Sequence, residues 1–372
     1  MSGIYIHIPF CSAKCVYCDF YSMPRGNRTD EIERYSNAIV REYNARKDEL
    51  NGSEVTTVYF GGGTPSSLPV DHLTGLIRLF HTDSVKELTV EVNPEDVTRH
   101  LAEALIASGA NRVSMGVQSM VDSELSLIGR RHSSATVIEA FTHLRDAGFS
   151  NISLDLIYGL PDQQLDSWLY SLRTVLDLGP EHLSAYALSY EPGTRLYAML
   201  STGKVKEATQ ELSEQMYMTL CSLASEYGYE HYEIANFGKP GRHSLHNSSY
   251  WNLTPYLGLG PGAHSFDGSV RRYNPTNLRT YMDHPESSAT IDEENLDERV
   301  NDYVMTALRT SSGIDPKLTL RLFGQEIYDR ICTTASELIK KERLITTSTG
   351  NFAIPEEKWL LADAITLPFI TV

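Results

Sequence analysis

The sequence predicts an α/β fold: six βα units forming an incomplete barrel or open parallel sheet, followed by a small C-terminal α+β domain. Three observations predict it. Short β-rich runs alternate with amphipathic helical stretches over the first two-thirds of the chain, the pattern of repeated βα units around a parallel sheet. Six such units are too few to close an eight-fold barrel. Beyond about residue 295 the rhythm changes to consecutive helices and a short hairpin-like pair. A chain of 372 residues is long enough for a large domain over 1–295 and a smaller one over 296–372.

The candidate strands are Ile4–Ile8, Val55–Phe60, Glu87–Val92, Arg112–Val117, Asn151–Ile157 and His182–Leu188. Between them, apolar spacing predicts helices near Glu31–Arg46, Leu73–Phe80, Leu101–Ser108, Ala135–Ala147 and Gln164–Leu176, several followed by a glycine suited to a C-cap. A longer helix near Val205–Tyr227 places Met216, Leu220, Leu223 and Tyr227 on one face. The stretch Asn236–Tyr273, rich in Gly, His, Asn and aromatics, reads as an irregular connecting segment, and such long loops are more often functional than accidental. Near the C-terminus, Leu344–Thr347 and Phe352–Ile354 flank Ser348–Thr349–Gly350–Asn351, and with the preceding helices they resemble a small winged-helix domain. Acidity around Asp292–Glu298 and the lack of a basic recognition helix favour a structural or docking role over DNA binding.

The formal net charge of −16 excludes a non-specific nucleic-acid binder, which needs a basic footprint on phosphate. Met1–Phe10 is too short for a signal h-region, and no later stretch holds eighteen apolar residues, so the expected location is the cytoplasm. Any peripheral membrane association would come through a partner. Of the five cysteines, three lie within eight residues, which is no disulfide framework. Cys221 and Cys332, alone in helix-like segments, read as small core hydrophobes.

Cys11-x-x-x-Cys15-x-x-Cys18 directly follows a predicted strand, so three thiolates can converge from one loop. Zinc would want a fourth ligand, which Asp19 or His7 could supply. An iron–sulfur cluster held by the same three cysteines keeps one iron open to a substrate or cofactor. Phe60-Gly61-Gly62-Gly63-Thr64-Pro65 ends the second strand, where bare glycines let backbone approach a ligand, although a glycine-rich loop is also an ordinary turn. Glu91, Gln118 and Asp155 fall at or near the ends of the next three strands. Each alone reads equally as a surface residue or a helix cap. Together with the two loops they put chemistry on five consecutive βα units at the carboxyl side of the sheet, where α/β folds place their sites.

The three-cysteine spacing is the signature of the radical S-adenosylmethionine (SAM) superfamily, which the chain resembles. The resemblance implies a [4Fe–4S] cluster on Cys11, Cys15 and Cys18 whose open iron chelates SAM and delivers one electron to its sulfonium. The radical chemistry is the cofactor's, and the protein orients and shields it. From Tyr5 to the C-terminal domain the chain is further similar to the oxygen-independent coproporphyrinogen III oxidase-like family, in the strings Tyr-Ile-His-Ile-Pro-Phe-Cys, Phe-Gly-Gly-Gly-Thr-Pro, Glu-Val-Asn-Pro, Ser-Met-Gly-Val-Gln and Asp-Leu-Ile-Tyr-Gly-Leu-Pro. This implies SAM contacts at Tyr5, Gly62, Gly63, Thr64, Glu91, Gln118, Arg130 and Asp155, with Arg131 a plausible substitute for Arg130.

Two departures set the chain apart from the decarboxylating members. Phe20 stands where they carry a fourth cysteine, and four residues precede Tyr5 where they carry an extension. His246-Asn247-Ser248-Ser249-Tyr250-Trp251 instead matches the HNxxYW string of the heme-chaperone branch, HemW. It implies His246 as an exposed heme ligand beside two aromatics, with His264 as a second candidate; an ordinary packing histidine is the competing reading. The resemblance thus implies a heme chaperone with heme as cargo, apo-hemoproteins as recipients and a homodimeric state. The alternative is an oxidase converting coproporphyrinogen III to protoporphyrinogen IX.

Overall fold

The computed structural model describes residues 1–26 and 29–371. The first half runs β1 (Ser2–Ile8), β2 (Phe10–Cys11), β3 (Met23–Pro24), α1 (Thr29–Arg46), β4 (Val55–Gly62), α2 (Val70–Phe80), β5 (Glu87–Val92), α3 (Arg99–Ala107), β6 (Arg112–Gln118), α4 (Asp122–Leu127), α5 (Ser134–Ala147), β7 (Ile152–Tyr158) and α6 (Leu165–Asp177). It continues with β8 (His182–Ala187), α7 (Arg195–Ser201), α8 (Gln210–Glu226), β9 (Glu230–Glu233), β10 (Asn236–Gly238), α9 (Leu245–Trp251), β11 (Tyr256–Leu259), β12 (His264–Phe266), β13 (Arg271–Tyr273), α10 (Leu278–Asp283) and β14 (Thr290–Asp292). The C-terminal part holds α11 (Leu296–Ala307), α12 (Pro316–Lys340), β15 (Ile345–Thr346), β16 (Phe352–Ala353) and α13 (Ala362–Thr366).

One sheet of twelve strands organises the molecule, in the order β14-β13-β12-β11-β1-β4-β5-β6-β7-β8-β10-β9. The six expected strands pair in parallel and in sequence. Local signals end the intervening helices: α5, for example, opens on a capping box of Ser133 with Thr136 and stops at Gly148, whose φ of 106° lies in the left-handed region. Among the described residues no helix is long and apolar enough to cross a membrane.

The strands divide their side chains by period two. Ile4, Ile6 and Ile8, Val58 and Phe60, Val90 and Val92, and Met115 and Val117 all lie in one hydrocarbon core with the helices. The alternate positions carry Tyr5, His7, Tyr59, Glu91, Ser114, Asp155 and Ser184, and the register keeps them in step, Tyr5 beside Tyr59, Glu91 beside Ser114 and Asp155 beside Ser184. A parallel sheet buried on both faces ordinarily reads as continuous hydrocarbon. Here the second face is polar, so it is built to hold something other than a core.

The stretch expected to be irregular, Asn236–Tyr273, is ordered into β10, α9 and β11–β13, with β11 a further parallel neighbour of β1. Four residues, Tyr-Leu-Gly-Leu, are too few to show a period in sequence. In α8, Met216, Leu220 and Leu223 are buried as expected, but Tyr227, just past the helix end, is 38% exposed and donates its hydroxyl to Asp177 at 2.7 Å. Tyr217 and Ala224 take its place in the core.

A second core gathers residues of α11, α12 and the segment after β16, among them Tyr303, Ile331, Leu338 and Trp359, and Ile234 and Leu253 pack against it. Helix α12 breaks at Gly324, whose φ of 81° and ψ of −179° no helix accommodates. The short pair β15–β16 follows, and Ile314 bridges to Phe352.

Helix α1 is locked to the β11–β12 edge by one buried carboxylate. Glu42 accepts from Arg46 Nη1 at 2.5 Å, Asn274 Nδ2 at 2.7 Å, Gly260 N at 2.9 Å and the Tyr281 hydroxyl at 2.6 Å. Removing one partner of such a network strands the others without solvent. Glu42→Ala is therefore expected to cost about 3 kcal/mol or more, read as a lowered denaturation midpoint; an unchanged midpoint would contradict this assignment.

Candidate functional site

The carboxyl ends of β4–β8 and the loop after β1 enclose a cavity of about 410 Å³. The cysteine loop roofs it. β2 pairs in parallel with β3, and Arg25 N donates to Cys11 O at 2.7 Å, so both ends of the loop are fixed. Val16 N reaches Ile128 O at 3.1 Å and anchors the middle. Cys11, Cys15 and Cys18 all line the cavity. Burial pushes the Cys11 and Cys18 thiols above their ordinary range, and a bound metal would hold these sulfurs as thiolates. Arg130 supplies the compensating charge, with Nη1 3.8 Å from Cys15 Sγ.

The glycine loop is required by sterics. A Cβ on Gly62, which sits at φ 106°, would fall 2.6 Å from His7 Nδ1, and one on Gly63 would fall 2.8 Å from Phe10 O. The chain thus passes directly under the cysteine loop. Gly63 N and Thr64 N donate to Ile8 O and Phe10 O at 2.7 and 2.8 Å. The Thr64 hydroxyl lies 3.1 Å from Cys11 Sγ.

Glu91 accepts from Gly62 N at 3.2 Å and from the Tyr59 hydroxyl at 2.8 Å. Burial, joined by the nearby Asp155 charge, pushes its carboxyl up to about 7 despite those bonds. Asp155 accepts from Ser114 Oγ at 3.1 Å on both oxygens, and burial raises its pKa as well. Two carboxylates on one wall, both held toward neutrality without a ligand, form a site that gains from a cation. Gln118, at the end of β6, takes a φ of 67°, uncommon for a residue with a Cβ.

Of the residues expected to contact SAM, Gly62, Gly63, Thr64, Glu91, Gln118, Arg130 and Asp155 share this cavity. Arg130 lines it, while its expected substitute Arg131 is exposed and does not. Arg130 Nη2 donates to Gly116 O at 2.5 Å and Asn93 Oδ1 at 2.8 Å, and its Nε is buried with no protein partner. Tyr5 stands apart: its hydroxyl meets His7 Nδ1 at 3.1 Å beneath the loop, and it is not on the cavity wall.

The imidazole expected to be exposed, His246, is fully buried. Its Nδ1 lies 2.9 Å from Thr57 Oγ1 and its Nε2 2.9 Å from the Tyr250 hydroxyl, while the ring stacks on Tyr59 at 5.2 Å. Burial pushes its pKa down to about 3, so it stays neutral. The cause is α9 itself, which inserts at the amino ends of the strands and is capped there by Glu87, acceptor to Leu245 N and His246 N at 2.9 and 2.8 Å. His264, the second candidate, is exposed on β12 beside Tyr273.

Sequence reasoning missed Tyr17, Tyr59 and Asn93, all on the wall. Asn93 links the glycine loop to the arginine, donating to Thr64 Oγ1 at 3.1 Å and accepting from Arg130. It lies two residues past Glu91 in the Glu-Val-Asn-Pro string, so strand alternation offered the signal.

The donor set fits a cluster better than a single zinc ion. Three thiols converge on the cavity from one loop, a donor set that suits an iron–sulfur centre with one open iron. His7, weighed as a fourth zinc ligand, is committed at both nitrogens, with Nε2 2.9 Å from Tyr21 O. The unpartnered Arg130 Nε and the two carboxylates fit a ligand that carries both an anionic and a cationic group.

Residues 5–175 match the model of the radical SAM superfamily. Over 371 residues the chain is 33% identical to the heme chaperone HemW of Bacillus subtilis, covering 97% of each protein. Over 372 residues it is 30% identical to the heme chaperone HemW of Mycobacterium tuberculosis, covering 98% of this chain and 93% of that one. Its structure is similar to that of coproporphyrinogen III oxidase (HemN) from Escherichia coli, with a TM-score of 0.82, 23% identity, and coverage of 100% of this chain and 90% of that one. That last likeness is one of fold.

The raised Glu91 carboxyl makes a signed prediction for the ligand-free protein. Its pKa is about 7 folded against an ordinary 4.5, so the folded state holds a proton that the unfolded state releases between those values. Stability from this group therefore falls as pH rises from about 4.5 to about 7, by up to ~3 kcal/mol. Glu91→Gln should gain on the parent protein across that window in denaturant titrations, and parallel profiles would contradict the assignment.

Proposed function

The chain belongs to the radical SAM superfamily and, within it, to the HemW family of heme chaperones, and on that premise we propose that it binds heme and hands it to apo-hemoproteins. A [4Fe–4S] cluster on Cys11, Cys15 and Cys18 and a bound SAM support that transfer from an incomplete six-unit barrel. Phe20 carries the reading against the oxidase alternative. It occupies the place of the oxidases' fourth cysteine, and it stands 65% exposed on the cavity wall with Tyr186, itself 45% exposed, also on that wall. Flat apolar side chains at an open rim suit a macrocycle better than a fourth ligand would.

When bound, the cluster supplies one electron to the sulfonium of SAM through its open iron. The protein's part is to hold SAM. Glu91 and Asp155 answer its positive charge, Arg130 its carboxylate, and Gly62, Gly63, Thr64 and Gln118 contribute close backbone and polar groups. Tyr5 acts through His7, which it fixes beneath the loop.

For heme, His246 can reach iron only if α9 swings out and gives up its bonds to Thr57 and Glu87, with Tyr250 moving on the same helix. His264, already exposed beside Tyr273, favours a second reading in which it ligates first. The C-terminal helices and hairpin, winged-helix-like in arrangement, serve as a docking surface for the recipient. The acidic composition supports a cytoplasmic setting, with any membrane visit made through a partner, and the family likeness supports a homodimer.

Two measurements test this. Anaerobically reconstituted protein given SAM, reductant and coproporphyrinogen III should release no protoporphyrinogen at catalytic turnover; turnover would restore the oxidase reading. Cys15→Ala should abolish iron–sulfur absorbance and leave the circular dichroism unchanged, because the loop is held by β2, β3 and Ile128 rather than by its metal. Retained cluster iron in that variant would refute the cluster assignment.

A further inference from the structure

A thiol outside the cluster loop belongs to a second constellation. Cys221 on α8, His231 on β9 and Glu356, just past β16, bring Sγ, Nδ1 and a carboxylate oxygen within 4.8 Å of one another, the one such group of three found among the described residues. His231 Nδ1 lies 2.9 Å from Glu356 Oε1 and 3.8 Å from Cys221 Sγ. The ring is clamped, stacked on Phe237 at 4.0 Å and 15° and set edge-on to Trp359 at 4.2 Å.

Hydrogen bonding alone does not satisfy a neutral ring here. Its Nε2 faces the Ile234 carbonyl at 3.4 Å and its Nδ1 faces the Glu356 carboxylate. A neutral imidazole has one N–H, so either tautomer sets one acceptor against another. A doubly protonated ring would satisfy both as an ion pair with Glu356, and a metal ion can take the place of that second proton. A cation at Nδ1 removes the conflict. Nε2–H then donates to Ile234, the arrangement that orients metal-bound histidines, while Nδ1, the carboxylate and the sulfur all face positive charge.

We propose that Cys221, His231 and Glu356 bind a divalent cation of the zinc class, with water completing a tetrahedron. Sulfur, imidazole and carboxylate are the donors that zinc takes. Metal–sulfur and metal–nitrogen or –oxygen bonds of about 2.3 and 2.0 Å place tetrahedral ligands roughly 3.3 to 3.6 Å apart, so the separations found here need only small side-chain shifts. On binding, Cys221 releases its proton to solvent and ligates as thiolate. The ion would staple α8 and β9 to the segment that carries Trp359 into the second core, a link between the two parts of the chain that owes nothing to SAM or heme.

The test uses protein with its cluster already assembled, incubated anaerobically with zinc chloride and desalted. Zinc and iron are counted by mass spectrometry, and the zinc shell is read by X-ray absorption. Expected is about one retained zinc per chain with a single sulfur at about 2.3 Å, and a higher thermal midpoint than without zinc. Cys221→Ser should remove the sulfur from that shell, and Glu356→Gln, at a 56% exposed side chain, should weaken zinc affinity roughly tenfold or more; both should keep their iron. Zinc retained equally by parent and Cys221→Ser, a shell without sulfur, or a shell with three sulfurs drawn from the cluster loop would each overturn the proposal.

Discussion

The period-two division of the parallel strands is the constraint on which the rest of the structure depends. One face gives its isoleucines, valines and phenylalanine to the helices. The other carries tyrosine, histidine, serine and two carboxyl groups in register across six strands. Burying that polar face against a second hydrocarbon layer would cost the hydration of each group without return. The molecule instead closes it with polar partners, α9 at the amino ends and the cysteine and glycine loops at the carboxyl ends. The cavity between them is what remains.

Burial then sets the chemistry. The carboxyls of Glu91 and Asp155 are held toward neutrality and the Cys11 and Cys18 thiols toward protonation. Arg130 keeps its charge against desolvation because Tyr17, Cys15 and Glu95 surround it. The wall is thus incomplete alone, poised for a ligand that carries charges of both signs. His246 represents the opposite solution: Thr57, Tyr250 and Tyr59 satisfy its ring completely, so the conformation described here leaves it nothing to offer iron.

Much of this was legible from local signals. The strands found at Glu87–Val92 and from Arg112 carry hydrophobic patterns strong enough to read directly, and motif position placed seven of the eight expected SAM contacts on one wall. What escaped depended on tertiary placement. β11 is too short for a period, and Gly258 within it dilutes its apolar character. Tyr5 and His246 follow strings associated with ligand binding, yet strand parity and the insertion of α9 turn them into the polar interior. Cys221 reads as a lone helical cysteine because His231 and Glu356 meet it only through the fold. Proximity across ten and 135 positions leaves no mark on a linear pattern.

We propose that the cavity beneath the cysteine loop serves heme delivery rather than oxidation. The most direct measurement is a heme titration of anaerobically reconstituted protein, followed by mixing with an apo-hemoprotein and separation of the two. Saturable heme uptake and appearance of heme in the recipient are expected. A protein that takes up no heme, or keeps all of it in the presence of the recipient, would contradict it.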